Sequence, residues 1–515
     1  MQQPSAADVI EALTDPGSWS SWDAPPRLPP EATEDAYAAQ RRRAAQRSGV
    51  EESVLTGAAR VAGMQVAIIA QEFGFLAGSV GHDAADRIIR AYERATELRV
   101  PIVAAPVSGG TRMQEGTPAF LRMAGIAAAA ADHRAAGLPS LVLLRGPTTG
   151  GVLASWGSLG QVTLSEPGAL VGFLGPRVYR EVMGEPFPTG VQTAENLAAH
   201  GVIDAVLEPS RWRGAATRFL AIAAARPGEP PHWAANPGPV PEPVAAAATS
   251  VTATAPYPDP DAWGHVLQTR RADRPGADAW LQRCATDVLP LAGTAAGERA
   301  DGLLLVLARL RGRGVVIVAQ DRTAQSSGAL IGPWSLRAAR RGMRLAAELG
   351  LPLVTLIDTP GAALSPAAEE GAMAGEIARC LADLSQLPVP SVAVVLGQGA
   401  GGGAIALLPC DRVVAAENAW VTPLPPEGAA AIVHRDAGRA AQMAAEQRIT
   451  AAALAGIGAV DAIVPETGDW LPVLGDAVVA QLQGLDGAVV EEGGRVRLAA
   501  SQLRRRRDRW RGIDR

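Results

Sequence analysis

Short runs of β-branched and aliphatic residues punctuate this chain, separated by stretches with helical spacing. Val66-Ala-Ile-Ile-Ala70 precedes a helical pattern over 86–96. Next comes the apolar run Pro101-Ile-Val-Ala-Ala-Pro-Val, which ends in Ser108-Gly-Gly110. A second helical pattern covers 119–136, and Leu141-Val-Leu-Leu144 then leads to Gly150-Gly151. The same order returns later: Val315-Val-Ile-Val-Ala319, a helix over 336–349, and Pro352-Leu-Val-Thr-Leu-Ile-Asp-Thr-Pro-Gly361-Ala362. A helix over 368–385 follows, and then Val392-Ala-Val-Val, which ends in Gly401-Gly402-Gly403. Strands that alternate with helices at this spacing predict βαβ units around a buried, mostly parallel sheet. The fold class is α/β.

The two series keep a near-constant offset. It is 249 from Val66 to Val315 and 251 from Pro101 to Pro352, Gly110 to Gly361, Ser140 to Ser391 and Gly150 to Gly401. The chain therefore reads as two copies of one fold. A Pro/Ala-rich stretch without periodicity, 226–260, separates them as a linker, leaving an N-terminal domain over 1–225 and a C-terminal domain over 261–515.

Composition narrows the chemistry. All 47 residues counted under Lys+Arg are arginine. Schiff-base lysine, a Walker A lysine and a biotin- or lipoate-bearing lysine are thereby excluded from this sequence. A formal net charge of -5 argues against a nucleic-acid binder. Cys284, Cys380 and Cys410 are widely spaced, so neither a disulfide framework nor a zinc site is expected. The first residues lack the pattern of a signal peptide, and no apolar run reaches membrane-spanning length, so a cytoplasmic enzyme is the expectation.

In such sheets ligands sit beyond the C-terminal strand ends, where all four glycine turns fall. Glycine lets backbone N–H groups approach a ligand closely and permits the positive φ that aligns them. Gly109, Gly110, Gly150 and Gly151 therefore make one candidate oxyanion hole, with Gly361, Ala362, Gly401, Gly402 and Gly403 as a second. A donor in such a hole stabilises a developing anion by about 3 kcal/mol. Side-chain machinery is sparse. GxSxG does not occur, and His434 has no evident partner in sequence. Glu115, Glu166, Glu370 and Glu427 lie near the turns, as caps, solvated charges or participants.

At these residues the sequence resembles a family. Ser108-Gly-Gly-Thr-Arg-Met-Gln-Glu-Gly116 and the segment 147–179 are similar to the β subunit of bacterial acetyl-CoA carboxylase carboxyltransferase. Ile357-Asp-Thr-Pro-Gly-Ala362, 368–390, 397–407 and 425–436 are similar to the α subunit. The resemblance implies a crotonase fold in each half. It places an acyl-CoA thioester near Gly109–Gly110 and Gly150–Gly151, with Ser108, Thr111, Arg112, Phe173 and Arg177 as substrate-binding candidates. It places carboxybiotin near Gly361, Ala362, Gly401, Gly402 and Gly403, with Glu427 and Gly428 beside it. The implied reaction moves a carboxyl group from carboxybiotin to the α-carbon of acetyl- or propionyl-CoA, with the biotin anion taking the α-proton, so no protein triad is needed. Because the chain has no lysine to carry biotin, a separate biotin carboxyl carrier protein and a biotin carboxylase are the implied partners. A homo-oligomer, at least a dimer with sites shared between chains, is implied as well.

The sequence departs from the family in three ways. No zinc ribbon opens the β-like half, Ala363 stands where an aromatic residue is usual, and arginines such as Arg112, Arg145 or Arg177 must meet CoA phosphates in place of lysine. Trp156 and Phe173 are candidates to line the acyl pocket. Two other readings stay open at this point: a biotin-independent decarboxylase of malonyl thioesters, and a scaffold without catalysis. The basic run Arg504–Arg507 reads as a solvated terminal helix or a contact for an acidic partner.

Overall fold

The apolar runs become the centres of two sheets. In the computed structural model, residues 3–27, 35–234, 249–250 and 258–513 are described. The chain forms two units: Met1–Ala224 with Pro231–Pro237, and Ala225–Pro230 with Gly238–Arg515. Most of the 226–260 stretch, 235–248 and 251–257, lies outside the described residues. Its described beginning is packed: Trp233 is buried and its carbonyl accepts from Gln65 N at 2.8 Å.

In the first unit, the seven-stranded sheet runs in the order 20–21, 54–61, 64–71, 102–105, 140–144, 162–165 and 205–206. The strands from Met64–Gln71 onward are parallel, whereas Val54–Val61 pairs antiparallel with Met64–Gln71. Val66 to Ala70 and Ile102 to Ala105 are buried throughout, as a sheet covered on both faces requires. In the second unit, Leu303–Leu310 pairs antiparallel with Arg313–Gln320, and Leu353–Thr359, Ser391–Ala400, Arg412–Ala416 and Ala462–Val464 continue in parallel.

The repeat extends to individual backbone partners. Thr148 faces Val171 in a short parallel ladder, and Gly399 faces Val421 in its counterpart. Val80 bridges Thr111, and Ile331 bridges Ala362. Ser108 bridges Thr148, and Thr359 pairs with Gly399. These links hold the two glycine turns of each unit side by side.

Helix positions follow the periodicity, with shifted ends. The helices are His82–Glu97, Gly116–Ala135 and Pro333–Leu349. The helix expected over 368–385 is broken into Pro366–Glu370 and Met373–Gln386, because Ala372 takes a left-handed φ of 66° that no helix interior accommodates. Among the described residues, no helix is long and apolar enough to cross a membrane.

Candidate functional site

Each first glycine turn is fixed by a buried hydroxyl. Ser108 Oγ accepts from Gly110 N at 2.9 Å and donates to Gly78 O at 2.7 Å. Thr359 Oγ1 accepts from Gly361 N at 3.2 Å and donates to Gln325 Oε1 at 2.6 Å. The glycines take φ of 120° and 142°, which a residue with a Cβ rarely adopts. Buried glutamines pin the strand ends just before these turns. Gln71 Oε1 accepts from Val107 N and Gln320 Oε1 from Asp358 N, both at 3.0 Å. Their amide nitrogens donate to Gly78 O and Gly403 O, both at 2.8 Å.

This bonding changes which amides are available. Gly109 N donates to Ala77 O, Gly110 N to Ser108 Oγ and Gly150 N to Phe173 O, each at 2.9 Å. Of the four N-terminal glycines chosen from sequence, only Gly151 keeps an N–H without an acceptor among the described residues. Its companion is Thr111, whose N–H is likewise without one, because the bridge to Val80 uses Gly110 O and Arg112 N. In the second unit Gly361 N is consumed by Thr359, and Ala362 N is without an acceptor among the described residues. Gly402 lies in the first turn of Gly401–Ile405, where N–H groups have no intrahelical partner. The turns adjoin closely. A Cβ on Gly151 would lie 3.1 Å from Thr111 Oγ1, and one on Gly403 would lie 3.5 Å from Ala362 N. Thr111 with Gly151, and Ala362 with Gly402, are thus equivalent donor pairs, suited to one oxygen that gains negative charge.

The carboxyl transferase domain model matches residues 6–462. The chain belongs to the carboxyl transferase family. It is 51% identical over 469 residues to the protein named probable biotin-dependent acyl-coenzyme A carboxylase beta3 subunit of Mycobacterium tuberculosis, covering 91% of this chain and 90% of that relative. It is 40% identical over 475 residues to the acetyl-coenzyme A carboxylase carboxyl transferase subunits beta/alpha of Salinispora arenicola, covering 90% and 82%. In fold it resembles transcarboxylase 12S, a hexamer solved with methylmalonyl-coenzyme A and methylmalonic acid bound. The TM-score there is 0.74 at 21% identity, over 94% of this chain and 89% of that one. The protein is a carboxyltransferase of the biotin-dependent acyl-CoA carboxylase type.

Several side chains chosen from sequence do not reach this carboxyltransferase's turns. Arg112 is fully buried. It pairs with Glu52, donates to Ser79 O at 2.7 Å and Glu115 Oε1 at 3.2 Å, and stacks 5.4 Å from the Phe75 ring. It cannot meet a CoA phosphate without abandoning these partners. Arg145 is also buried, donating to Gln71 O at 2.8 Å and to Pro4 O. The Arg177 side chain lies outside the described residues.

Glu115 accepts from Tyr37 Oη at 2.5 Å and His82 N at 2.6 Å, and Glu166 accepts from Gly146 N at 2.7 Å. Both carboxylates tie backbone together. Glu370 is exposed at the end of its short helix. Glu427, beside Gly428 in Pro426–Val433, is held below the usual carboxylate range by Arg270, at 2.5 Å. His434 Nε2 lies 3.5 Å from Glu446. Phe173 is 71% exposed beside the second turn, whereas Trp156 is wholly buried. Burial pushes the Cys380 thiol up to about 12 and Cys410 up to about 11, so neither is a ready nucleophile.

Sequence reasoning missed the glutamine pins and Thr359, and it took Ser108 for a substrate-binding residue where the structure shows its hydroxyl fixing the turn. Their signal was present: Gln71 and Gln320 end equivalent strands, and Ser108 and Thr359 precede equivalent glycines.

Proposed function

We propose that this carboxyltransferase runs its two half-reactions on the two donor pairs, one per unit. The matched N–H groups of Thr111 with Gly151 and of Ala362 with Gly402, the last in the first turn of its helix, have no acceptor among the described residues and carry this reading. In the N-terminal domain, the first pair holds the thioester oxygen of a short acyl-CoA, acetyl- or propionyl-CoA, as charge grows there on loss of the α-proton. In the C-terminal domain, the second pair holds the ureido oxygen of biotin, which when bound supplies the carboxyl group. Two backbone hydrogen-bond donors fit a ureide and a thioester, both neutral carbonyls that become anionic in reaction. The repeated strand order, with a short parallel ladder at Thr148–Thr149 in the first unit and at Gln398–Ala400 in the second, supports a crotonase-like fold for both.

The acyl-CoA class is supported by the relatives named acyl-CoA carboxylase subunits and by methylmalonyl-CoA bound to transcarboxylase 12S. A biotin carboxyl carrier protein and a biotin carboxylase complete the cytoplasmic enzyme, and the chain works as a homo-oligomer. The test supplies purified chain with carboxylated carrier and acetyl- or propionyl-CoA. Label from carboxybiotin is expected in malonyl- or methylmalonyl-CoA, abolished by avidin. Loss of CO2 from malonyl-CoA that is indifferent to biotin and avidin would overturn the reading.

A further inference from the structure

The basic run Arg504–Arg507 lies in the helix Ala500–Arg511 of the second unit, and folding divides it. Arg506 is buried and uses every N–H on the fold. Its Nε donates to Asp411 Oδ1 at 2.9 Å, its Nη1 to Leu384 O and Leu387 O at 2.8 Å, and its Nη2 to Val389 O at 2.9 Å and to Asp411 Oδ2. Arg505 is the opposite case. It is exposed, with no hydrogen bond or ion pair among the described residues.

Arg505 faces a cavity of about 330 Å³ that Arg412, Arg506, Arg509, Asp411 and Asp461 also line. Four guanidiniums thus meet two carboxylates, and both carboxylates are already answered. Asp411 accepts from Ser391 N and Ser391 Oγ, both at 2.9 Å, besides Arg506 and Gln502. Asp461 accepts from Val413 N and from Arg509, both at 2.7 Å. Donors remain. Arg412 is partly exposed and reaches Asp461 only at 3.4 Å. Arg509 Nε is buried and has no acceptor among the described residues.

Position separates this cavity from the second donor pair. Arg412 opens the strand Arg412–Ala416, and Asp461 immediately precedes Ala462–Val464. These strands run parallel to Ser391–Ala400, whose far, C-terminal end leads into Gly401 and Gly402. The cavity and the glycine turn therefore lie at opposite ends of one sheet.

We propose that the cavity binds a phosphate dianion, as free phosphate or as the head of a phosphomonoester. Arg412 and Arg505 hold it, and Arg509 adds its charge. Two uncompensated positive charges call for a dianion, and the guanidinium fork matches phosphate oxygens in charge and geometry. The volume lies at the small end of ligand sites, which span roughly 300–1,000 Å³, and suits a compact anion. Bound there, the anion offsets the repulsion among these arginines and fastens helix Ala500–Arg511 to the sheet.

The test titrates the full chain with inorganic phosphate in calorimetry, at ionic strength held constant with sodium chloride, and repeats it with glycerol 3-phosphate. Saturable binding is expected, with a rise in unfolding temperature that follows the same saturation. Arg505→Ala and Arg412→Gln are each expected to weaken binding about tenfold. Both side chains reach the surface, so each variant checks the other. Arg507→Ala, on the same helix but outside the cavity, is expected to leave affinity within about twofold. Binding of glycerol 3-phosphate as tight as that of phosphate assigns the site to a phosphate head group, and binding of inorganic phosphate alone assigns it to the free anion. A response that sodium chloride reproduces, or equal losses in Arg505→Ala and Arg507→Ala, overturns the site.

Discussion

The two units share a frame down to single backbone hydrogen bonds, yet differ in what surrounds the same donor pair. The first unit surrounds Thr111 with a buried ion network of Arg112, Glu52, Glu115 and Arg41. The second leaves a largely apolar cavity outside Ala362. A duplicated backbone thus keeps the amide geometry, and side chains alone differentiate the sites. Burial would raise the Glu52 carboxyl, but hydrogen bonding and charge from Arg112 hold it below the usual carboxylate range. The network stays charged, and each member depends on the others.

The sharpest way to break the comparison is therefore Arg112→Ala. It leaves Glu52 buried without its main partner, and a loss of about 3–5 kcal/mol is expected in denaturant unfolding followed on the first unit. Its counterpart, Ala363→Arg, fills an open cavity and is expected to cost under about 1 kcal/mol. Equal costs for the two would show that the network is not what separates the units.

A second difference sits in the helices behind the turns. His133 is buried against Tyr92, while Leu384 occupies the equivalent place in the second unit. Burial lowers the His133 ring from 6.5 to about 4. Between those values the unfolded chain binds a proton that the folded chain refuses, so stability falls as pH drops from 6.5 to 4. The full window amounts to about 3 kcal/mol in the first unit. His133→Leu, which copies the other unit, is expected to flatten that acid slope in unfolding curves taken from pH 7 to 4. An unchanged slope would place the acid sensitivity elsewhere.

Much of this was legible in the sequence because the repeat was. Buried parallel strands show as unbroken apolar runs, and glycine marks turns where φ must be positive, so the sheets and the four turns were readable. Which amide in each turn is free was not readable. That depends on the Ser108 and Thr359 hydroxyls, which absorb the N–H of the very glycines the pattern points to and pass the donor role to Thr111 and Ala362. Arg112 misled for a similar reason. A motif arginine looks like a phosphate ligand until the fold brings Glu52, sixty positions earlier, against it. Antiparallel Val54–Val61 and helix Asp35–Ser48 carry weak alternation and little apolar character, so neither stood out from the chain.

The hydroxyl pair gives a gentler comparison. Ser108→Ala and Thr359→Val free the glycine N–H and loosen the turn, and each is expected to lower kcat about tenfold to a hundredfold with little change in KM. Ser108→Thr and Thr359→Ser, which keep the hydroxyl, are expected to recover most of the rate. Only a positioning role predicts that pattern; a purely structural one would lower the amount of folded enzyme and leave kcat per folded chain intact.

The smallest effect is expected at Glu427, the carboxylate that sequence placed beside biotin. It is partly exposed and bonded to Arg270, and exposed pairs of this kind contribute under about 1 kcal/mol. Glu427→Gln keeps the shape and removes the charge. If the second unit works through backbone amides, the variant should retain kcat within about threefold and unfold within about 1 kcal/mol of the parent. A collapse of kcat with normal stability would mean that this unit uses a side-chain carboxylate after all, and the equivalence of the two donor pairs would fail at its chemistry, though not at its geometry.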